Sequence, residues 1–154
     1  MASKKKRKLT PTEIDAEIVG ERSVLEWEKR FKPVQKGFHG DLSLANHRIG
    51  VLIVKHNGAI AYVGSGTAKG QGMLARLRQL AFGRSTGGHH HAAQMIRKNL
   101  EEAELHLLLF EHGDLAVAEI RKLVSLIHEK YDPVWAAPKS IVKAKIAGSY
   151  ARSG

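Results

Sequence analysis

The chain has 154 residues, enough for one domain of ordinary size, and 43% of them are hydrophobic, which excludes a wholly disordered polymer. It holds no cysteine, so a disulfide scaffold, a thiol nucleophile and a cysteine-built zinc centre are excluded. Twenty-five Lys and Arg against fifteen Asp and Glu leave a net charge of +10, and a balance this basic favours a polyanionic partner.

Lys4 to Lys8 are five consecutive cations, so residues 1–9 are expected to form a disordered basic tail. Such a tail grips phosphates without sequence preference. It also resembles a nuclear import signal, but no other feature points to a nucleus, and the phosphate reading is preferred. A polar stretch follows, which speaks against a signal peptide. No apolar run approaches the ~20 residues of a membrane span, so no membrane partner is expected.

Thr10-Pro11-Thr12-Glu13 has the form of a capping box with Pro at the first helical position. A helix is expected from about Pro11 to Phe31, with Gly20 the place where it would break, and Pro33 to Gly40 as connector. Residues 10–40 thus make an N-terminal helix and its link. Arg48 to Lys55 is β-branched and apolar, His56-Asn57-Gly58 is a hairpin turn, and Ala59 to Gly64 returns as a second strand. A Gly-rich loop covers Ser65 to Gly72. Met73 to Phe82 is helical, with Leu74, Leu77, Leu80 and Ala81 on one face. A loop over Gly83 to Gly88 and a helix over His89 to Leu100 follow.

Leu105 to Phe110 is apolar on both faces and therefore a central strand. Asp114 is expected to cap a helix running to about Lys130. Pro133 and Pro138 bracket an irregular piece, and Ser140 to Tyr150 reads as a last basic helix. The implied fold is a small α/β sandwich without internal repeats. Residues 41–138 form its core, and 139–154 a basic segment carrying Lys139, Lys143, Lys145 and Arg152. Charge is segregated within the core too: from Leu42 to Leu100 there is no Asp or Glu, but there are eight Lys or Arg. A surface usually mixes its signs.

Gly50-Val51-Leu52, a short turn, Tyr62-Val63-Gly64, a helix with Arg76-Leu77-Arg78 and a later helix with Glu119 stand in that order. This set resembles the GIY-YIG nuclease family over roughly Arg48 to Pro138. Leu52 stands where the first signature element has Tyr, Leu80 where several relatives have His, and no Asn follows the Glu119 helix. Tyr131, Tyr150 or a histidine are candidates for the vacated roles. The resemblance implies a central three-stranded sheet, the hairpin plus one strand, flanked by helices. It implies metal-dependent hydrolysis of DNA phosphodiesters. Tyr62 would help deprotonate the attacking water and Arg76 would bind the scissile phosphate, with Arg78 as fallback. Glu119 would hold one Mg2+ or Mn2+.

The residue types suit those roles. Arg stays charged and offers a planar fork of donors to a phosphate. Glu119 has apolar Ala116 and Leu123 beside it, and a carboxylate next to a buried face needs a cation or a hydrogen-bond partner. His89, His90 and His91 are adjacent, so on a helix they point ~100° apart and cannot all ligate one metal. Related nucleases place His or Ser here beside DNA. Lys69, Arg78, Arg84, His89, His90 and Lys143 are accordingly the expected nucleic-acid contacts.

The expected protein is a small cytoplasmic enzyme of bacterial or phage type, monomer or homodimer, acting on single- or double-stranded DNA. Two alternatives stand beside it: a non-catalytic nucleic-acid-binding module on the same fold, and a basic structural protein bound to RNA.

Overall fold

Thr10 caps α1 (Pro11–Ala16): its hydroxyl accepts from the Glu13 N–H, and the Glu13 carboxylate accepts from the Thr10 N–H. The capping box is therefore formed as expected. The computed structural model describes residues 8–67, 72–83, 91–110 and 117–135. The tail over 1–7, the Asp114 cap, the middle of the Gly-rich loop and the C-terminal segment expected to be helical lie outside these residues.

The single helix expected over 11–31 is instead two short ones. α1 ends at Ala16, Glu17 is extended, and β1 (Ile18–Val19) turns back on β2 (Arg22–Ser23). Gly20 sits in that turn at φ 63, a conformation glycine adopts without the clash a Cβ would bring. Ser23 then caps α2 (Val24–Glu28) by accepting from the Glu26 N–H. Two capping residues around one left-handed glycine outweigh a continuous helix.

The connector holds a strand, β3 (Lys32–Val34), and a 3-10 turn at Gly37–His39. β4 (Ile49–His56) and β5 (Ala59–Gly66) form the expected hairpin, with Asn57 and Gly58 at φ 53 and 79. α3 (Met73–Phe82), α4 (His91–Lys98), β6 (Glu104–Phe110) and α5 (Val117–Tyr131) complete the frame.

The fold is mixed α/β, as expected, but the main sheet has four strands, in the order β3-β6-β4-β5, with every neighbouring pair antiparallel. The fourth strand arises because Lys32, Pro33 and Val34 pair with Leu107, His106 and Leu105. Pro33 has no N–H to give, which suits an outer strand. β6 is interior, as its apolar run predicts.

Alternate residues of the strands enter two cores. Leu52, Val54, Leu105 and Leu107 face α3 and α4, meeting Leu74, Leu77, Leu80, Ala93 and Ile96. Val51, Ile53, Val63, Leu108 and Phe110 face α5, α1 and α2, meeting Ile120, Leu123, Ile127, Ile14 and Trp27. Trp27 donates from Nε1 to the Val19 carbonyl at 2.8 Å and sets its ring edge-to-face with Phe110 at 5.2 Å. Among the described residues no helix is long and apolar enough to cross a membrane.

Candidate active site

A register shift after Val54 lets β5 pair Val54 with Tyr62 and Leu52 with Gly64. Tyr62 and Gly64 therefore share the sheet face covered by α3. The Tyr62 ring lies over Gly64: a Cβ built there would meet the Tyr62 Oη at 2.6 Å and Cε2 at 2.8 Å. Glycine is the residue that leaves room for the ring.

α3 brings Arg76 to that ring. Arg76 Nη2 donates to Tyr62 Oη at 3.1 Å, and Nη1 donates to Gln79 Oε1 at 3.1 Å. Tyr62 and Arg76 are half-buried and Gln79 is exposed. The helix is held at both ends. The Met73 N–H donates to the Arg48 carbonyl at 2.7 Å, and Gly72 turns there at φ 60. At the other end Arg97 of α4 donates from Nη2 to the Gln79 carbonyl at 2.7 Å and from Nε to the Leu80 carbonyl at 3.1 Å. The Gln79 carbonyl also accepts from the Gly83 N–H at 3.1 Å, so the guanidinium adds a second, charged donor at the end of the helix. A half-exposed guanidinium fixed beside a phenolic oxygen is suited to receive an anionic oxygen, which can replace Gln79 as acceptor.

The remaining expected residues are placed differently. Arg78 is exposed on α3. Leu52, in place of the first signature Tyr, is fully buried in the core. Tyr131 donates from its hydroxyl to the Glu28 carboxylate, at the far end of α5. Lys69, Arg84, His89, His90 and Lys143 lie outside the described residues.

Glu119 is half-buried in the first turn of α5, beside buried Ile120 and Leu123, as its pattern predicts. But α5 packs on the opposite face of the sheet from α3. Glu119 lines a groove shared with Arg22, Lys29, Arg48 and Phe110. Asp41 also lines it, held below the usual carboxylate range by the Ser43 N–H it accepts. The buried residues of α3 belong to the core on one side of the sheet and those of α5 to the core on the other, so Arg76 and Glu119 start from helices on different faces. Among the described residues no three His, Asp or Glu side chains form a metal-binding group.

Gln79 and Gly64 are the members of the site that motif reading left without a role. Gln79 stands three residues after Arg76, the spacing that puts two side chains on one helix face. Gly64 stands two after Tyr62, the spacing that puts two residues on one strand face. Searches against family models, curated proteins and solved structures gave no match for this chain.

Proposed function

We propose that the chain is a GIY-YIG-type DNA endonuclease whose phosphate centre is Tyr62 with Arg76. The observation supporting this is the 3.1 Å contact between Arg76 Nη2 and Tyr62 Oη, which joins the signature hairpin to the arginine helix. In this reading a phosphodiester oxygen takes the Arg76 donor now used by Gln79. Arg76 then stabilises the negative charge that grows on the phosphoryl oxygens. Tyr62 Oη orients the attacking water and passes its proton toward solvent. One bond forms from water oxygen to phosphorus, the P–O bond to the leaving sugar oxygen breaks, and that oxygen takes a proton from solvent. No step is assigned to a metal.

The test is incubation with plasmid, duplex and single-stranded oligonucleotides, each with Mg2+, with Mn2+ and with chelator. Cleavage by the wild type that is lost in Arg76→Ala supports the reading, and the metal arms decide the metal dependence. Absence of cleavage on every substrate overturns it.

A second reading is a non-catalytic nucleic-acid-binding module. It is favoured by two placements, Leu52 sealed in the core and Glu119 on the other sheet face. Oligonucleotide binding without cleavage in any arm selects it.

A further inference from the structure

β6 is covered unevenly. β3 pairs with Leu105 to Leu107 only, so Leu108 to Phe110 have β4 on one side and, among the described residues, no strand on the other. That edge opens into a groove of about 1720 Å3. One wall is the stretch from Lys29 to Lys36, which carries four cations and no acid. Lys29, Arg30, Lys32 and Lys36 are all exposed, and none pairs with an acid among the described residues. Arg22 and Arg48 add two cations to the lining, against Glu21, Asp41 and Glu119, so positive charge prevails six to three.

Like charges held this close repel one another, and the repulsion is relieved by an anion that spans them. The wall is also a fixed one. Pro33 limits the backbone, and β3 is paired to β6. Its eight residues extend at most ~25 Å, the reach of several nucleotides. The lining is not only charged: Phe31 is half-buried, and Leu44 is 69% exposed. Backbone-tracking cations beside apolar and aromatic surface are what a single strand needs, its phosphates on one set and its bases on the other.

We propose that this groove holds one strand of nucleic acid, with phosphates against Lys29, Arg30, Lys32 and Lys36 and bases toward Phe31 and Leu44. It is a contact surface separate from Tyr62 and Arg76. β3 is one edge of the sheet and β5, which carries Tyr62, is the other. The strand spacing puts roughly 15 Å between those edges. The inference rests on the nucleic-acid part of the proposed function and not on cleavage.

The experiment is fluorescence anisotropy of a labelled single-stranded oligonucleotide over a salt series, in chelator so that binding is read without cutting. The groove variant is Arg30→Ala with Lys32→Ala. The matched variant is Lys98→Ala with Arg121→Ala, two exposed cations that do not line the groove. The groove variant is expected to bind ~10-fold or more weakly at low salt and to flatten the log–log salt slope by about 1.4, or 0.7 for each phosphate no longer neutralised. The matched variant should bind less than threefold more weakly than the wild type. Arg30→Gln with Lys32→Gln is read in the same way if the alanine variant melts early. A groove variant that binds no worse than the matched one overturns the proposal. So does a groove that captures a poly-glutamate peptide in preference to the oligonucleotide. A protein that binds in this way but never cleaves refutes the nuclease reading alone.

Discussion

Arg76 reaches Tyr62 because two short-range spacings coincide, and each can be broken singly. Tyr62→Phe keeps the ring over Gly64 and removes the oxygen that Arg76 holds. Turnover is expected to fall by ~10²-fold or more, the scale of missing acid–base help, with an unchanged circular dichroism spectrum. A normal rate would reduce Tyr62 to a packing residue. Gly64→Ala attacks the same contact from below. Its methyl would stand 2.6 Å from the Tyr62 Oη, so the ring must swing away from Arg76. Single-turnover cleavage should fall toward the Tyr62→Phe level while DNA affinity stays within about threefold. A wild-type rate would mean that the ring position does not matter. Glu119→Ala is expected to leave the Tyr62–Arg76 contact and the cleavage rate in place, since its helix packs on the other sheet face. Loss of cleavage with intact binding would return Glu119 to the centre as a metal ligand. The hairpin, the arginine helix and the glutamate helix are all readable from hydrophobic period and turn chemistry. That the glutamate helix packs on the other sheet face from the arginine helix is not, because helix periodicity gives the buried stripe and not the sheet face it covers.

At the scale of elements, α1 and α2 are tied to α5 through one lysine. Lys130 Nζ donates to Glu28 Oε2 at 2.7 Å and to Asp15, with its side chain 12% exposed. Burial alone would lower its pKa, but hydrogen bonds to Asp15 and Glu28 outweigh burial and raise it above the ordinary lysine value. A raised pKa means that this contribution is complete at neutral pH and is lost only as pH climbs through the strongly alkaline range. Lys130→Met leaves two carboxylates facing each other without their cation. Urea unfolding should show a loss of about 2 kcal/mol, less than a fully buried pair costs because Lys130 is only half-buried. Amide exchange should quicken first in Pro11–Glu28. A stability loss below ~1 kcal/mol would show that the hydrophobic contacts of Ile14, Val24 and Trp27 suffice. The two-helix form of this segment follows from Gly20 and Ser23, both visible in sequence. Its anchoring to Lys130 joins residues over a hundred positions apart, and no local pattern announces that.

For the whole molecule, the clearest pH lever in the described residues is His106. It sits on interior strand β6 with its side chain 16% exposed, and its Nε2 makes no hydrogen bond among the described residues. Burial lowers its pKa and the Lys55 charge lowers it further, against a partial opposing pull from Glu104. The folded protein therefore holds this imidazole neutral more strongly than the unfolded chain does. Stability from this group is complete above the unfolded value of about 6.5 and declines as pH falls below it. The melting temperature should drop between pH 7 and pH 5, and His106→Gln should flatten that part of the profile. An identical pH profile in the variant would assign the decline to other groups.

By itself the sequence determined the α/β class, the hairpin and its Asn57-Gly58 turn, the α3 span, the interior character of Leu105 to Phe110 and the Thr10 capping box. Each rests on local rules: strand and helix periods, positive φ at a turn, a side chain reaching a backbone three residues away. The tertiary structure alone decided that Lys32–Val34 is a fourth strand. A three-residue segment containing Pro33 has too little pattern to read as a strand, and only the free edge of β6 gives it a partner. It also decided which side chains meet. Arg76 finds Tyr62 because α3 covers the face that Tyr62 shares with Gly64, and Glu119 lines the basic groove because α5 covers the other. The choice between two faces of a sheet depends on how loops route their helices and on the packing of both cores at once. No window of neighbouring residues contains that information.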